Sequence, residues 1–289
     1  MNVVVTGGAG FIGRHLLAAL QGQNVVPLDL APVAGYSRCV VNDLAANPDH
    51  VRLVVRGVKP DVVFHLAGRI QGDAADIWRT NVQGTVNLLD AVRHEASGAR
   101  VVVVGTAAEY GRPTEERPLR ETDQCHPRGA YATSKHAAVL AALDFGLDVV
   151  VARPFNTIGV GMGEHLAVGH MIAQVRHALV TGSRFAPGRG LDLRRDFLAV
   201  QDVARALVAL AARGKRGEVY NVCSGIATPF GTLHGWLREA SNLALEEEPA
   251  RPGDIPLVLG DPSKLERDTG WTAEVPLHAA LMQAWEASK

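Results

Sequence analysis

Short apolar runs alternate with longer amphipathic segments over the first 155 residues of the chain. The runs are continuous and rich in valine, a pattern typical of parallel strands that are covered on both faces. Residues 11–20 place Ile12, Leu16 and Leu20 on one side of a helix. The strands predicted from the runs cover residues 3–6, 25–29, 61–66, 100–106 and 147–153.

This alternation of strands and helices predicts an α/β fold built on a doubly wound parallel sheet. After residue 153 the sequence changes to loops rich in glycine and proline, such as PFNTIGVGMG and APGRGLDLRRDF. The change predicts a smaller, loop-rich C-terminal lobe. We therefore expect a larger domain over 1–155, to which the chain returns around 196–223, and a smaller lobe formed by 156–195 and 224–289.

The composition and the net charge exclude some classes of binding partner. Hydrophobic residues make up 47% and charged residues 20% of the 289-residue chain, an ordinary globular balance. A formal net charge of −1 gives no field that attracts nucleic acid or an anionic membrane, so we expect neither as a partner. No apolar stretch approaches the roughly 18 residues that span a bilayer. The three cysteines are far apart and no signal peptide is evident, so we expect a cytoplasmic protein.

A glycine-rich turn follows the first predicted strand and opens the first predicted helix, in VVVTGGAGFIGRHLLAAL. Glycines at this place allow a tight turn and let the main chain approach a pyrophosphate at the helix N-terminus. Asp29 ends the next strand, where a carboxylate accepts hydrogen bonds from ribose hydroxyls. The arrangement predicts a Rossmann-type dinucleotide site. The charge of Asp29 repels a ribose 2′-phosphate and favours NAD(H), although Arg38 leaves NADP(H) open.

Two residues suited to proton transfer stand in AYATSKHAA. Tyr131 and Lys135 are four residues apart and share a face of a predicted helix. A free tyrosine has a pKa of about 10, and a neighbouring ammonium lowers that pKa by favouring the phenolate. The pair therefore suits general acid–base catalysis at a hydroxyl or carbonyl group. The histidines and cysteines form no metal-binding motif, so we expect no metal.

Eight motifs run in order from residue 6 to residue 271: TGGAGFIG, KPDVVFHLAG, TNVQGT, GTAAEYG, AYATSK, ARPFNTIG, RRDFLAVQDVA and RPGDIPLVLGDPSKLERDTGW. Together they resemble the extended short-chain dehydrogenase/reductase family of nucleotide-sugar epimerases, dehydratases and reductases. The resemblance implies that the larger domain binds NAD(P) and that the smaller lobe binds a sugar nucleotide. It also implies a homodimer formed through two helices, here residues 76–95 and 131–143.

The resemblance assigns a set of residues to the cofactor. The glycine-rich turn would line the pyrophosphate, Asp29 the adenosine ribose, and the pair in VNDL the adenine. The segment HLAG would pass beneath the ribose-phosphate, and an asparagine in TNVQGT would position the sheet edge near the nicotinamide. The implied cofactor residues are Gly7, Gly10, Phe11, Ile12, Gly13, Asp29, Asp43, Leu44, Leu66, Ala67, Gly68, Asn81, Tyr131, Lys135 and Pro154.

The catalytic residues that the resemblance implies are Thr106, Tyr131 and Lys135. Tyr131 would give or take the proton, and Lys135 would hold the nicotinamide ribose and lower the pKa of Tyr131. Thr106 would bond the reacting sugar oxygen. The implied substrate-binding residues are Thr106, Ala107, Ala108, Asn156, Arg195 and Arg251, with the two arginines on the diphosphate. An asparagine common in relatives is absent from GMGEHLAVGH, and we expect His165 or Glu164 to replace it.

Two alanines follow Thr106, where dehydratases of the family carry an Asp-Glu pair. Alanine has no proton to exchange, so dehydration is disfavoured. The motifs GTAAEYG and RPFNTIG look most like those of reductases of nucleotide-linked 4-keto-6-deoxyhexoses, such as GDP-4-keto-6-deoxymannose, and we expect such a reductase. The alternatives are a 4-epimerase with tightly bound NAD and a non-catalytic relative that senses redox state or binds RNA.

Overall fold

A seven-stranded parallel sheet lies at the centre of the larger domain in the computed structural model, which describes residues 1–182, 190–243, 250 and 253–288. The strands of the protein are β1 (Asn2–Thr6), β2 (Asn24–Asp29), β3 (Val40–Val41), β4 (Val62–His65), β5 (Arg100–Val104), β6 (Asp148–Pro154), β7 (Asn156–Ile158), β8 (Arg194–Ala199), β9 (Val219–Val222), β10 (Ala227–Pro229) and β11 (Leu257–Val258). The order in the large sheet is β3-β2-β1-β4-β5-β6-β9. This is a doubly wound order, and the predicted fold class is confirmed.

The described part of the chain forms the helices α1 (Phe11–Ala19), α2 (Pro48–Val58), α3 (Ala74–Trp78), α4 (Gly84–Glu95), α5 (Gly129–Asp144), α6 (Ala167–Thr181), α7 (Val200–Arg213), α8 (Phe230–Ser241), α9 (Ser263–Thr269) and α10 (Leu277–Ala287). Some of these helices cover both faces of the large sheet. Helices α1 and α7 pack on one face of the sheet, and α2, α4 and α5 pack on the other. None of the helices in the described part of the chain combines the length and the apolar character needed to cross a membrane.

The central strand β1 shows why its sequence is continuously apolar. Val3 and Val5 are fully buried in the same apolar cluster as Leu16 of α1. Val4 points the other way and is buried in the cluster that contains Val55 of α2. Successive side chains of a strand face opposite sides of the sheet, so the middle positions of a strand covered on both sides are apolar.

The smaller lobe is built around β8, which pairs with β7 and β11 in parallel and with β10 in antiparallel orientation. Helices α6, α8 and α10 enclose a separate apolar core that includes Ile158, Leu233 and Trp285. The sequence predicted that the chain returns to the larger domain around 196–223. Strand β8 pairs within the small sheet, but its Leu198 packs with Leu207 of α7 in the core of the large sheet, and β9 joins that sheet.

Asp196 of β8 ties separate segments of the lobe together. Its side chain is fully buried. One carboxylate oxygen accepts hydrogen bonds from Ser224 N at 2.8 Å and Ser224 Oγ at 2.7 Å. The other accepts from Gly225 N at 2.9 Å and Gly260 N at 3.3 Å. A buried carboxylate is costly without such donors, so these contacts hold the segments in one arrangement.

Residues 76–95, predicted as one helix, contain a π-helical turn, Arg79–Gln83, between α3 and α4. Asn81 in this turn is almost completely buried. Its side-chain amide donates to Ser134 Oγ at 2.9 Å and to the Arg69 carbonyl at 3.0 Å, and its side-chain oxygen accepts from Arg69 N at 2.7 Å. Helical bulges of this kind often aim a side chain at a particular site. Here the side chain fixes the loop after β4 against α5.

Candidate active site

A cleft of about 820 Å³ lies between the carboxyl ends of the large sheet and the smaller lobe. Residues that follow β1, β4, β5 and β6 form one wall, and residues 253–258 lie on the lobe side. Ligands of doubly wound sheets bind at this edge. The predicted site residues that line the cleft are Gly7, Gly10, Phe11, Ile12, Gly13, Leu66, Gly68, Thr106, Ala107, Ala108, Tyr131, Lys135, Pro154, Asn156 and Arg195.

The glycine-rich turn leaves no room for side chains. Gly7 has φ +73°, and a Cβ there would lie 2.7 Å from Ala67 N. A Cβ on Gly13 would lie 2.1 Å from the Gly7 carbonyl oxygen. The turn therefore packs tightly against the loop after β4 and brings the first N–H groups of α1 to the cleft wall. This cradle fits the pyrophosphate of a dinucleotide.

Asp29 is not among the cleft-lining residues, but it touches the glycine-rich turn. Its carboxylate accepts hydrogen bonds from Ala9 N at 2.9 Å and from Leu30 N at 2.7 Å. A carboxylate has about four lone-pair positions, so it retains acceptor capacity for ribose hydroxyls. Arg38 is turned towards β2, with its guanidinium donating to Asn24 Oδ1 at 3.1 Å.

Four other predicted cofactor residues also stand behind the cleft wall. Asp43 accepts from Ala45 N at 2.9 Å and pairs with Arg79 at 3.1 Å. Leu44 is buried in the core beneath α4. The other two are Ala67, whose N–H donates to the Thr6 hydroxyl at 3.2 Å, and Asn81 in the π-helical turn. Their contacts in the structure are with main-chain groups and side chains of the protein behind this wall.

His65 supports the same wall from inside the sheet. Its Nδ1 lies 2.7 Å from Thr6 Oγ1 and its Nε2 lies 2.8 Å from Thr85 Oγ1. The Thr85 hydroxyl donates its proton to the Asn81 carbonyl at 2.6 Å, so Nε2 of His65 must be the donor to Thr85. Burial lowers the pKa of His65 to about 3, and the charge of Lys135 acts in the same direction. The ring is therefore a neutral structural contact.

The three predicted catalytic side chains meet at the floor of the cleft. Thr106 follows β5, and Tyr131 and Lys135 lie one turn apart on α5. The Tyr131 phenol and the Thr106 side chain both line the cleft, and Thr106 is close enough to affect the pKa of Tyr131. Lys135 is buried, with 5% of its surface exposed. The structure therefore brings together a hydroxyl, a phenol and an ammonium from two separate elements.

Burial sets the protonation of the two helical residues. Burial raises the pKa of Tyr131, and the neighbouring Thr106 side chain opposes this rise only in part. The sequence predicted that Lys135 would lower this pKa, but desolvation of the phenolate outweighs any such effect. Burial also lowers the pKa of Lys135 to about 8, while the charge of Glu109 opposes the change. Near neutrality Tyr131 is thus a phenol with a proton to donate.

Ala107 and Ala108 form the start of a 3-10 turn, Ala107–Tyr110, and both line the cleft. The acid of this turn, Glu109, is fully buried and points away from the cleft into the protein. Tyr110 is also buried and donates to Asn221 Oδ1 at 2.7 Å. Burial raises the pKa of Tyr110 well above its usual value. Tyr110 is therefore a packing residue.

The substrate side of the cleft contains both predicted and unexpected residues. Asn156 donates to the Asp196 carbonyl at 3.0 Å, and Arg195 donates to the Ile255 carbonyl at 2.8 Å. His165 lines the cleft, whereas Arg251 lies outside the described residues.

Two further arginines, Arg112 and Arg128, line the cleft and were missed from the sequence. Arg128 directly precedes α5 in extended backbone, so no helical spacing relates it to Tyr131 and the sequence carried no signal for its place at the cleft. Arg112 donates to the Gly253 carbonyl at 3.0 Å, a partner too distant in sequence to predict.

Comparison with known proteins agrees with this geometry. Residues 3–223 match the family described as NAD dependent epimerase/dehydratase family. The chain is 33% identical over 308 residues to a GDP-6-deoxy-D-mannose reductase of Pseudomonas aeruginosa, across 99% of this chain and 97% of that protein.

Two solved structures are also similar. RMD from Pseudomonas aeruginosa complexed with NADPH has a TM-score of 0.85 and 30% identity, with 99% of each chain covered. The UDP-glucose 4-epimerase of Thermotoga maritima with UDP-glucose has a TM-score of 0.87 and 25% identity, with 100% of this chain and 98% of that chain covered. The chain therefore belongs to the NAD dependent epimerase/dehydratase family and is an NAD(P)-dependent enzyme of the extended short-chain dehydrogenase/reductase type.

Proposed function

We propose that the protein reduces the C4 ketone of a nucleotide-linked 4-keto-6-deoxyhexose. The main support is that Thr106, Tyr131 and Lys135 line one cleft in a chain that resembles a GDP-6-deoxy-D-mannose reductase along its whole length. The fold does not separate reductase from epimerase, because a UDP-glucose 4-epimerase has a similar TM-score. The assignment therefore rests on the site and on the sequence identity.

The side chains have complementary roles in this reaction. Bound NAD(P)H supplies the hydride that the C4 carbon accepts. Tyr131 donates its phenolic proton to the oxygen that becomes the hydroxyl, and the raised pKa keeps that proton available near neutrality. Thr106 donates a hydrogen bond to the same oxygen, and Lys135 holds the nicotinamide ribose. Binding of the remote nucleotide positions the sugar for these contacts.

The residues after Thr106 argue against water elimination. Ala107 and Ala108 face the cleft and have no proton to exchange. The neighbouring acid, Glu109, is fully buried and already bonded to protein groups. The cleft wall at this point therefore suits redox chemistry at the sugar carbon.

The cofactor and substrate have separate sites on the two walls. Asp29 favours NAD(H), since its carboxylate repels a 2′-phosphate, and Arg38 is bonded to Asn24. Residues 156–195 and 224–289 form the sugar-nucleotide lobe, with Arg195 and Arg251 on the diphosphate. The enzyme acts in the cytoplasm as a homodimer joined through residues 76–95 and 131–143.

The direct test mixes the purified protein with GDP-4-keto-6-deoxymannose and either NADH or NADPH and follows the absorbance at 340 nm. A ketoreductase consumes one cofactor for each sugar reduced. A 4-epimerase interconverts the 4-hydroxy sugar nucleotides without net cofactor consumption. No loss of absorbance at 340 nm with either cofactor, together with interconversion of 4-hydroxy sugar nucleotides in a separate assay, would overturn the proposed function.

A further inference from the structure

Glu109 lies directly behind the catalytic residues and has no contact with the cleft. One carboxylate oxygen accepts a hydrogen bond from Thr106 N at 2.8 Å. The other accepts from Arg153 Nη2 at 2.9 Å and lies 3.1 Å from His136 Nδ1. The side chain is fully buried, and that of Arg153 is 4% exposed. The carboxylate therefore joins the end of β5 to α5 and β6, the elements beneath the site.

The surrounding main chain is shaped to admit this carboxylate. A Cβ on Gly105 would lie 2.3 Å from Glu109 Oε1, so the glycine leaves room for the carboxylate in its present place. The turn is also closed by a reciprocal pair of contacts, in which the Thr106 hydroxyl accepts from Ala108 N at 3.3 Å. Such a capping box fixes the main chain at the start of a turn.

Glu109, Cys125 and His136 place three potential metal ligands within 4.8 Å of one another. The Arg153 guanidinium already bonds the Glu109 oxygen that faces His136, and its charge opposes a second cation there. The same guanidinium lies over the Tyr110 ring at 4.5 Å. The cluster is therefore a buried ion-pair network beneath the catalytic residues.

We propose that Glu109 is a positioning residue for the reduction: through its bond to the Thr106 main chain it holds the Thr106 hydroxyl against Tyr131. The inference rests on the proposed function, because it assumes that these two residues act on the sugar. Glu109 acts through Thr106 and through the electrostatic field at α5, and does not touch the substrate.

The negative charge of Glu109 affects the pKa of two residues of the site, Tyr131 and Lys135. Its negative charge raises the pKa of Tyr131 and that of Lys135. Removal of the charge should lower the pKa of Tyr131 and that of Lys135. Tyr131 and Lys135 would then both lose their protons at lower pH, so the decline of activity at high pH should begin at lower pH. The other titratable groups around Glu109 and Lys135 are His136 on α5, Arg153 on β6, Cys125 in the loop before α5, Tyr110 after Glu109, and His65 on β4.

The first experiment compares wild type with Glu109→Gln. The amide can still accept from Thr106 N, but its NH2 group faces the donors of Arg153 and His136, so the side chain must turn. We expect kcat to fall by about tenfold to 10²-fold, as small misplacements of reacting groups do, with KM nearly unchanged. The high-pH decline of kcat should move to lower pH. A folded variant with wild-type kcat and wild-type pH dependence would overturn the proposal.

Two further variants separate positioning from general damage. Glu121→Gln alters a carboxylate that accepts from Asn221 N at 2.8 Å in the same region, without contact to Thr106. We expect it to leave kcat and the pH profile as in wild type. Glu109→Asp keeps the charge opposite Arg153, and therefore the fold, but shortens the reach to Thr106. Glu109→Asp should lower kcat without shifting the pH profile. An unchanged kcat in this variant would also contradict the proposal.

A measurement without substrate distinguishes failure of the Glu109 proposal from failure of the proposed function. The ¹³Cε shift of Lys135, assigned with Lys135→Met in lysine-labelled protein, reports its protonation directly. In wild type the midpoint should lie near pH 8, and in Glu109→Gln it should be lower. If wild type reduces no keto sugar, the proposed function fails while this titration still tests Glu109. An unshifted midpoint would exclude the electrostatic role of Glu109.

Discussion

Tyr131 on α5 lies beside the side chain of Thr106 at the end of β5, and the phenol and the hydroxyl both line the cleft. The Thr106 oxygen accepts from Ala108 N at 3.3 Å, which leaves its own proton for Tyr131 or the sugar oxygen. The phenolic proton of Tyr131 is then available for the substrate. Because the two hydroxyl groups have different roles, mutation of Tyr131 tests its role separately from that of Thr106.

Tyr131→Phe should abolish reduction while cofactor binding persists. Loss of a general acid lowers kcat by about 10²-fold or more. The control is Tyr110→Phe, which removes a phenolic hydroxyl from the same region and costs about 1 kcal/mol through the lost bond to Asn221. Its kcat should remain close to wild type. Cofactor consumption at 340 nm and thermal unfolding measure both effects, and rapid turnover by Tyr131→Phe would contradict the assignment.

Gly13→Ala should prevent cofactor binding. Its Cβ would lie 2.1 Å from the Gly7 carbonyl oxygen, so the glycine-rich turn must open. The matched control is Gly57→Ala in α2, where a Cβ meets nothing within 4 Å. Alanine there should stabilise the helix by up to about 1 kcal/mol. Quenching of intrinsic fluorescence by NADH gives the affinities, and equal affinity in the two variants would contradict this role of Gly13.

Reduction should decline above about pH 8. The pKa of Lys135 is lowered to about 8 by burial, so the ammonium is present below that pH and is lost above it. Loss of the charge weakens the hold on the nicotinamide ribose. Initial rates from pH 6 to 10 at saturating substrate test this. A rate that stays constant up to pH 10 would show that the charge of Lys135 is not needed.

Asp29→Asn should shift the cofactor preference towards NADPH. The amide keeps an acceptor for Ala9 N, which the carboxylate contacts at 2.9 Å, but removes the charge that repels a 2′-phosphate. A gain of about tenfold in the ratio of kcat/KM for NADPH over NADH corresponds to about 1.4 kcal/mol. Steady-state kinetics with both cofactors measure it. An unchanged ratio would mean that other groups set the preference.

Asp196→Asn should destabilise the protein by about 2–3 kcal/mol, because an amide cannot accept from all four donors and one NH2 group is left facing them. The control is Asp90→Asn, which breaks an exposed pair with Arg93 worth less than about 1 kcal/mol. Chemical denaturation compares the two. Equal stability of the variants would contradict the role given to Asp196.

The sequence predicted the parts of the site whose signals are local. The glycine-rich turn and the helical pair Tyr131 and Lys135 belong to short motifs whose spacing implies their geometry, and Thr106 was assigned through the family resemblance of GTAAEYG. The valine runs, which need cover on both faces, indicated a doubly wound parallel sheet. These features depend on neighbours along the chain.

The missed features depend on distant partners. Glu109 bonds Arg153, 44 residues away, and no spacing rule connects the two. The raised pKa of Tyr131 is a consequence of burial, which becomes known only when α5 is packed against the sheet. The pairing of β8 within the small sheet was likewise not predicted, because a run such as RRDFLA does not state which strand it will pair with.

The four bonds to Asp196 have a consequence for engineering. They link β8, the turn after β9 and the residues just before α9, so the smaller lobe is assembled from stretches that are interleaved with the larger domain. A single crossover before β7 transfers this lobe only together with α7 and β9, which belong to the larger domain. A chimera intended to change the accepted sugar must exchange all of these stretches at once and must keep the aspartate together with its donors.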